Sequence, residues 1–296
     1  MTKTIQGNQV LMVTPFTDDY EIDEASTRNL VDFIIEGGAH GIIALGTTGE
    51  FFSLSPDEKR KMVDIVIDQG KGRIPILFGC AESGTRQSIQ LAQYAEYKGA
   101  DAILLPPPYY FPFFDNDIEE HFIQVAKSIS IPVMAYDGGG GREIPISMLL
   151  KLNEQAPNIK YAKITTRKPD KIKQILTQTD KIGLFCGDEP MTLFELRDGA
   201  SGMTLGAGNI QPREVSQIYE YWTKGEHEKA REIYYQRLMP QVGIFNIELN
   251  KYIQCFKETL TWMKIIKWPT VKPPLTPLDE TRREEARAVM QYLKII

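Results

Sequence analysis

The sequence predicts a closed (β/α)₈ barrel, a TIM barrel, carrying a helical extension at its C-terminal end. Three observations predict it. Short β-branched and apolar runs alternate along the chain with longer segments of helical period. Eight such pairs are complete within roughly 215 residues, which suits a closed barrel better than an open doubly wound sheet. No Gly-x-Gly-x-x-Gly follows the first strand, which weakens the dinucleotide-binding form of the open sheet.

The elements follow in order. Residues 9–14 read as the first strand; apolar positions Leu30, Phe33 and Ile34 mark a helix over 26–36, which Gly37-Gly38 ends. Residues 41–46 form the second strand. Ser55-Pro56-Asp57-Glu58 supplies an N-cap, a first-turn proline and the acidic start of the next helix. Further strands are expected at 74–79, 102–106, 132–136, 160–164, 182–186 and 201–205, with helices over 85–97, 118–128, 146–153 and 169–178 among those between them. Helical period then dominates over 214–222, 226–237, 244–266 with breaks, and 280–292, the last set off by the proline-rich run 268–277. The barrel strands and first seven helices are therefore assigned to 1–211, and the eighth helix and extension to 212–296.

Composition narrows the function. Of 296 residues, 34 are basic and 39 acidic, giving a net charge of −5 with no basic cluster. Nucleic acid and anionic membranes both demand clustered Lys and Arg, so neither is expected as a partner. The N-terminus lacks the apolar run of a secretory signal, and no stretch is long enough to suggest a membrane span. Cys80, Cys186 and Cys255 are widely spaced among apolar residues and read as buried free thiols of a reducing compartment. A cytoplasmic location is expected. The three histidines form no zinc-ligand spacing, so no metal is expected either.

In a barrel, chemistry gathers at the carboxyl ends of the strands. That places Thr47 and Thr48 after strand two, Tyr109 and Tyr110 after strand four, Tyr136 at the end of strand five, Lys163 near the end of strand six and Gly187-Asp188-Glu189 after strand seven. Alternation puts Tyr161 and Lys163 on one face and Lys160 on the other. A lysine aimed into the barrel is expensive to bury charged, and a neutral amine is the form that attacks a ketone. The pattern equally allows Lys163 to end its strand in solvent or to pair with a carboxylate such as Glu50. Tyr136 likewise reads as a barrel-layer aromatic, and Thr47-Thr48 as a simple turn or an anion-holding one.

Taken together, these residues resemble the dihydrodipicolinate synthase and N-acetylneuraminate lyase family. The resemblance rests on Gly46-Thr47-Thr48-Gly49-Glu50 with the following Phe-Phe-Ser-Leu-Ser-Pro-Asp-Glu-Lys, on Thr14-Pro15-Phe16, and on residues 98–110. Gly187-Asp188-Glu189 and Gly199-Ala-Ser-Gly-Met203 complete it. It implies a lysine Schiff base between Lys163 and pyruvate or a related 2-oxo acid, making or cleaving a C–C bond. Tyr136 would move protons, with Thr48 and a tyrosine of the 109–110 pair completing a hydroxyl relay. One tyrosine of that pair would reach in from a neighbouring subunit, which implies a homodimer or homotetramer. Thr47 and Thr48 would hold the substrate carboxylate, with Gly187 and Met203 as walls. No metal or organic cofactor is implied, because the imine on Lys163 is itself the electron sink.

The chain departs from the synthase pattern in its loops. Tyr136-Asp-Gly-Gly-Gly-Gly-Arg142 stands where Tyr-Asn-x-Pro-x-Arg-Thr-Gly is usual, so Arg142 either grips a second substrate's carboxylate or is a surface charge. Lys163-Ile-Thr-Thr replaces Lys-Glu, and the segment after strand three lacks the usual Asn. A retained imine mechanism with an altered second substrate is the expectation. The alternatives are a 2-oxo sugar-acid dehydratase, similar to the one acting on 5-dehydro-4-deoxyglucarate, and a non-catalytic barrel that binds a 2-oxo acid.

Overall fold

The computed structural model describes residues 4–138, 142–248 and 251–296, leaving aside the side chains of 247 and 248. Gly139, Gly140 and Gly141 of the tetraglycine run lie outside the described residues. Eight parallel strands close into a barrel in chain order: β1 Gly7–Leu11, β2 Gly41–Ala44, β3 Ile76–Gly79, β4 Ala102–Leu105, β5 Val133–Asp137, β6 Ile159–Ile164, β7 Gly183–Cys186 and β8 Gly202–Met203. The expected fold class is the observed one. Period-two alternation sends Leu11, Ile43, Leu77, Leu104, Met134 and Phe185 into the barrel, and Ile42, Phe78, Ile103 and Ala135 out against the helices.

Two strands, β1 and β8, differ most from the sequence expectation at their ends. β1 stops at Leu11 because the next backbone groups turn to a side chain: Val13 N–H donates to Asn209 Oδ1 at 3.0 Å, and Leu11 C=O accepts from Asn209 Nδ2 at 2.7 Å. β8 is only two residues long, although Leu11 N–H still donates to Leu205 C=O at 3.2 Å beyond it. The β8–β1 seam is tight. A Cβ on Gly202 would lie 2.3 Å from the Gly7 carbonyl oxygen, so any side chain there would push the closing strands apart.

The surrounding helices are α1 Glu24–Glu36, α2 Pro56–Gly70, α3 Thr85–Lys98, α4 Asp115–Lys127, α5 Ile146–Gln155, α6 Lys171–Leu176, α7 Thr192–Arg197 and α8 Pro212–Thr223. The cap read from Ser55 is a full capping box: Glu58 N–H donates to Ser55 Oγ, and Ser55 N–H to Glu58 Oε2.

In the extension, α9 His227–Ile233 widens into a π-turn, Tyr234–Leu238, before α10 Met239–Val242 and a second π-segment, Gly243–Glu248. Pro240 explains the widening, because it has no N–H and its ring would collide with the preceding turn of a regular α-helix. α11 Tyr252–Trp262 and α12 Glu280–Tyr292 complete the chain.

A buried ion pair joins the extension to the barrel. Glu50, whose backbone is left-handed at φ 56°, pairs with Lys257 of α11, and both side chains are fully buried. Lys257 Nζ also donates to Thr270 C=O at 2.7 Å, and Lys272 N–H to Glu50 Oε2 at 2.8 Å. Burial pushes the Lys257 ammonium down to about 8 against the pull of Glu50. Glu50 was one of the partners the pattern allowed for Lys163. Its carboxylate is engaged elsewhere.

Candidate active site

The carboxyl ends of the strands frame a cavity of about 230 Å³. Seven of the residues singled out from the sequence meet in it: Thr47, Thr48, Tyr136, Lys163 and the run Gly187-Asp188-Glu189. Lys163 and Tyr136 are register partners on adjacent strands. The Lys163 side chain is 3% exposed, and its Nζ lies 4.1 Å from the centre of the Tyr136 ring. Of the nearby carboxylates, Asp137 is paired with Lys171 at 2.5 Å and Asp188 with Arg167 at 2.9 Å, while Glu189 is hydrogen-bonded to amides and makes no ion pair with the lysine. The lysine is thus aimed inward without an ion-pair partner among the described residues. That is the arrangement a nucleophilic amine needs.

Gly187 is shaped by that amine. A Cβ there would meet Lys163 Cε at 2.7 Å, Thr165 Cγ2 at 2.4 Å and the Ile164 carbonyl oxygen at 2.8 Å. Thr47 and Thr48 lie in a turn closed by Gly49 N–H to Gly46 C=O at 2.9 Å and Glu50 N–H to Thr47 C=O at 3.0 Å. Thr14 Oγ1 donates to Gly49 C=O at 2.7 Å and pins the turn from β1's side. Among the described residues, the N–H groups of Thr47 and Thr48 have no acceptor. Two free amides and two hydroxyls at one turn make a nest for a carboxylate.

The opposite wall holds residues to which the sequence reading gave no role: Arg167, Glu189, Asn246 and Tyr252. Glu189 is buried; its Oε1 accepts from Gly206 N–H at 3.1 Å and Ala207 N–H at 3.4 Å, and its Oε2 accepts from Asn246 Nδ2 at 3.4 Å. Burial raises its carboxyl above the usual range, while those amides and Lys163 pull the other way. Tyr252, at the start of α11, is raised by burial and by Tyr136 and Glu189, with a hydrogen bond from Thr48 opposing. Glu189 was visible in the Gly187-Asp188-Glu189 run. Asn246 and Tyr252 sit in a helical stretch where such residues read as packing, so no local signal marked them.

Four sequence expectations are placed differently or only in part. Met203 is not a wall of the cavity. It is fully buried on the outer face of β8 with Cys186, Leu196 and Leu205, because Phe185 points inward and its neighbour Cys186, the register partner of Met203, points outward. Arg142 does not reach the cavity either; it is exposed and pairs with Asp115 at the start of α4 at 2.5 Å. Tyr109 lines an adjoining apolar cavity of about 240 Å³ that shares Thr47 and Tyr136 with the first. Tyr110 stays outside the cavity, 97% exposed on a left-handed backbone at φ 82°. Among the described residues, no three His, Cys, Asp or Glu side chains are grouped to hold a metal ion. No helix among them is long and apolar enough to cross a membrane.

Comparison with known proteins gives a consistent result. Residues 4–293 match the Dihydrodipicolinate synthetase family. A 4-hydroxy-tetrahydrodipicolinate synthase of Methanopyrus kandleri is 31% identical over 98% of this chain and 96% of its own length. The crystal structure of dihydrodipicolinate synthase from Aquifex aeolicus superposes with a TM-score of 0.93 at 28% identity, covering 98% of this chain and 99% of that one. YagE, a prophage protein of the dihydrodipicolinic acid synthase family from E. coli K12 solved in complex with pyruvate, gives a TM-score of 0.93 at 26% identity over 99% and 100% of the two chains.

Proposed function

Because the chain belongs to the dihydrodipicolinate synthetase family, we propose that it is a class I aldolase-type lyase whose Lys163 forms an imine with pyruvate or a related 2-oxo acid. The observation that carries this reading is the buried Lys163 amine, set 4.1 Å over the Tyr136 ring in a cavity that also holds the Thr47-Thr48 turn. The turn's amides and hydroxyls hold the carboxylate and so fix the ketone beside Nζ. Nζ attacks the carbonyl carbon, the carbinolamine loses water, and a protonated imine results. That cation draws electrons from the adjacent carbon, which loses a proton to give an enamine. The enamine carbon then attacks an aldehyde, or the same steps in reverse cleave the C–C bond. Tyr136 carries the protons in this reading, a contribution typically worth about 10²–10⁴-fold. The reading needs no metal or organic cofactor, since the imine supplies the electron sink.

Dehydration of a hydroxylated 2-oxo acid on the same lysine is the second reading. Glu189 favours it: burial raises this carboxyl above its usual range, the direction that suits a group handing a proton to a leaving hydroxyl, and it lines the same cavity as Lys163. The exposed Tyr110, with Phe111 and Phe114 beside it, supports assembly into at least a dimer in which this tyrosine enters a neighbouring site. The three buried free thiols are compatible with a cytoplasmic location.

Borohydride reduction in the presence of pyruvate tests the core of the proposal. It should fix the mass of a reduced pyruvate adduct on Lys163, and Lys163→Ala should remain folded with turnover below about a tenth of wild type. No adduct with pyruvate or with several longer 2-oxo acids would end it. Pyruvate consumption that depends on an added aldehyde identifies the aldolase, and turnover of a 2-oxo sugar acid alone identifies the dehydratase.

A further inference from the structure

Lys163 and Arg167 are the two basic side chains that line the cavity among the described residues. Once Lys163 has become the imine and the Thr47-Thr48 turn holds the 2-oxo acid's own carboxylate, Arg167 is the basic group left to receive a further anion. It lies past the end of β6 and before α6, on the rim where barrel loops meet substrate. Arg142, the arginine expected at a second carboxylate, is turned away to Asp115.

The way Arg167 is held leaves one edge of its guanidinium open. Nε donates to Asp188 Oδ2 at 2.9 Å and Nη2 to Asp188 Oδ1 at 3.4 Å, a side-on pairing. Nη1 makes no hydrogen bond among the described residues, and Nη2 keeps its second N–H. Those donors form the end-on edge of the fork, whose spacing matches the two oxygens of a carboxylate. Asp188 directly follows Gly187 at the end of β7 and its side chain is only 15% exposed, against 69% for Arg167, so the fork is oriented before a ligand arrives. The Arg167–Asp188 pair is neutral as a unit. Discrimination must therefore come from directed hydrogen bonds rather than from long-range attraction.

We infer that Arg167 is a specificity-determining residue: its open guanidinium edge receives a carboxylate at the far end of a longer 2-oxo acid bound through Lys163, which makes 2-oxo dicarboxylic acids the substrate class. The inference deepens the imine reading of Lys163 and rests on it. It serves both directions of the C–C bond chemistry. Cleavage starts from such an acid, and condensation with an aldehyde that carries a carboxylate ends on one.

The test is borohydride trapping at Lys163 with chain-matched pairs, 2-oxoglutarate against 2-oxopentanoate and 2-oxoadipate against 2-oxohexanoate. In wild type, at least one dicarboxylate should half-saturate at about a tenth of its counterpart's concentration, the lower end of what a hydrogen bond to a charged group contributes. Arg167→Gln should bring that ratio to within about twofold of one. Arg167→Lys should keep roughly a threefold preference, since it restores the charge without the fork.

A wild-type ratio near one in both pairs overturns the inference, and so does a preference that survives Arg167→Gln. An arginine that merely secures Asp188 and its loop would, on removal, raise both half-saturating concentrations together and leave the ratio in place, which equally overturns it. A wild-type protein that traps neither pyruvate nor any of the four acids sinks the imine reading along with this inference. Normal pyruvate trapping without a preference for the second carboxylate removes the inference alone.

Discussion

Gly187→Ala is the sharpest probe of how the fold places the amine. Gly187 does not have a left-handed backbone, so the substitution is not strained through its dihedral angles. Its cost is steric. The new methyl would lie 2.7 Å from Lys163 Cε, 2.4 Å from Thr165 Cγ2 and 2.8 Å from the Ile164 carbonyl oxygen, and ordinary contact begins near 3.4 Å. The carbonyl is held by Gly187's own N–H at 2.7 Å and cannot withdraw. Relief therefore falls on the two side chains, and Lys163 must move by roughly an ångström in a site where such a misplacement costs on the order of 10² in rate. The overpacking itself should destabilise the fold by about 1–3 kcal/mol. The assay is the rate of borohydride-dependent adduct formation with pyruvate, read by intact mass, beside thermal unfolding. A folded Gly187→Ala protein that forms the adduct at the wild-type rate would refute the placement of Lys163 against this wall.

Three further outcomes are expected. Tyr136→Phe should slow turnover by about 10²–10⁴-fold while adduct formation persists; normal turnover would take Tyr136 out of the proton path. Lys257→Met should cost about 3–5 kcal/mol in chemical unfolding, because Glu50 would be left charged and unpaired in a fully buried position; a loss below about 1 kcal/mol would show that this pair is not what couples extension to barrel. Burial, with a hydrogen bond to Cys186 opposing it, pushes Glu195 up to about 8. The folded state therefore keeps a proton that the unfolded chain releases near ~4.3. Stability from this group is full below that lower value and is lost as pH rises toward about 8. Glu195→Gln should gain on wild type in melting temperature between pH 5 and 8, and parallel profiles would contradict the assignment.

Much of this protein is legible in its residues because the governing rules are local. Alternation placed Lys163 on the same face as Tyr161, and the barrel bears this out with Tyr161 packed against the inner cluster and Lys163 at its mouth. The Ser55-Glu58 cap formed as its spacing predicts, since a capping box involves only residues within one turn. The Thr47-Thr48 turn was readable for the same reason. Met203 shows the limit of reading by motif: its position along β8 was correct, but the face of a two-residue strand depends on its register with Cys186. Arg142 shows another. Its charge was visible, but its partner Asp115 lies on a different element, 27 positions away in sequence.

By itself, the sequence determined the order of strands and helices, the barrel that the order implies and the face on which Lys163 lies, since each depends on periodicity or on spacing along a single element; the role of that lysine came from the resemblance. Only the tertiary structure decided what surrounds that lysine. Burial and proximity are properties of distant segments brought together, so the pairing of Glu50 with Lys257, the buried Glu189 carboxyl and the presence of Tyr252 in the same cavity as Thr48 had no signature in any short stretch of chain.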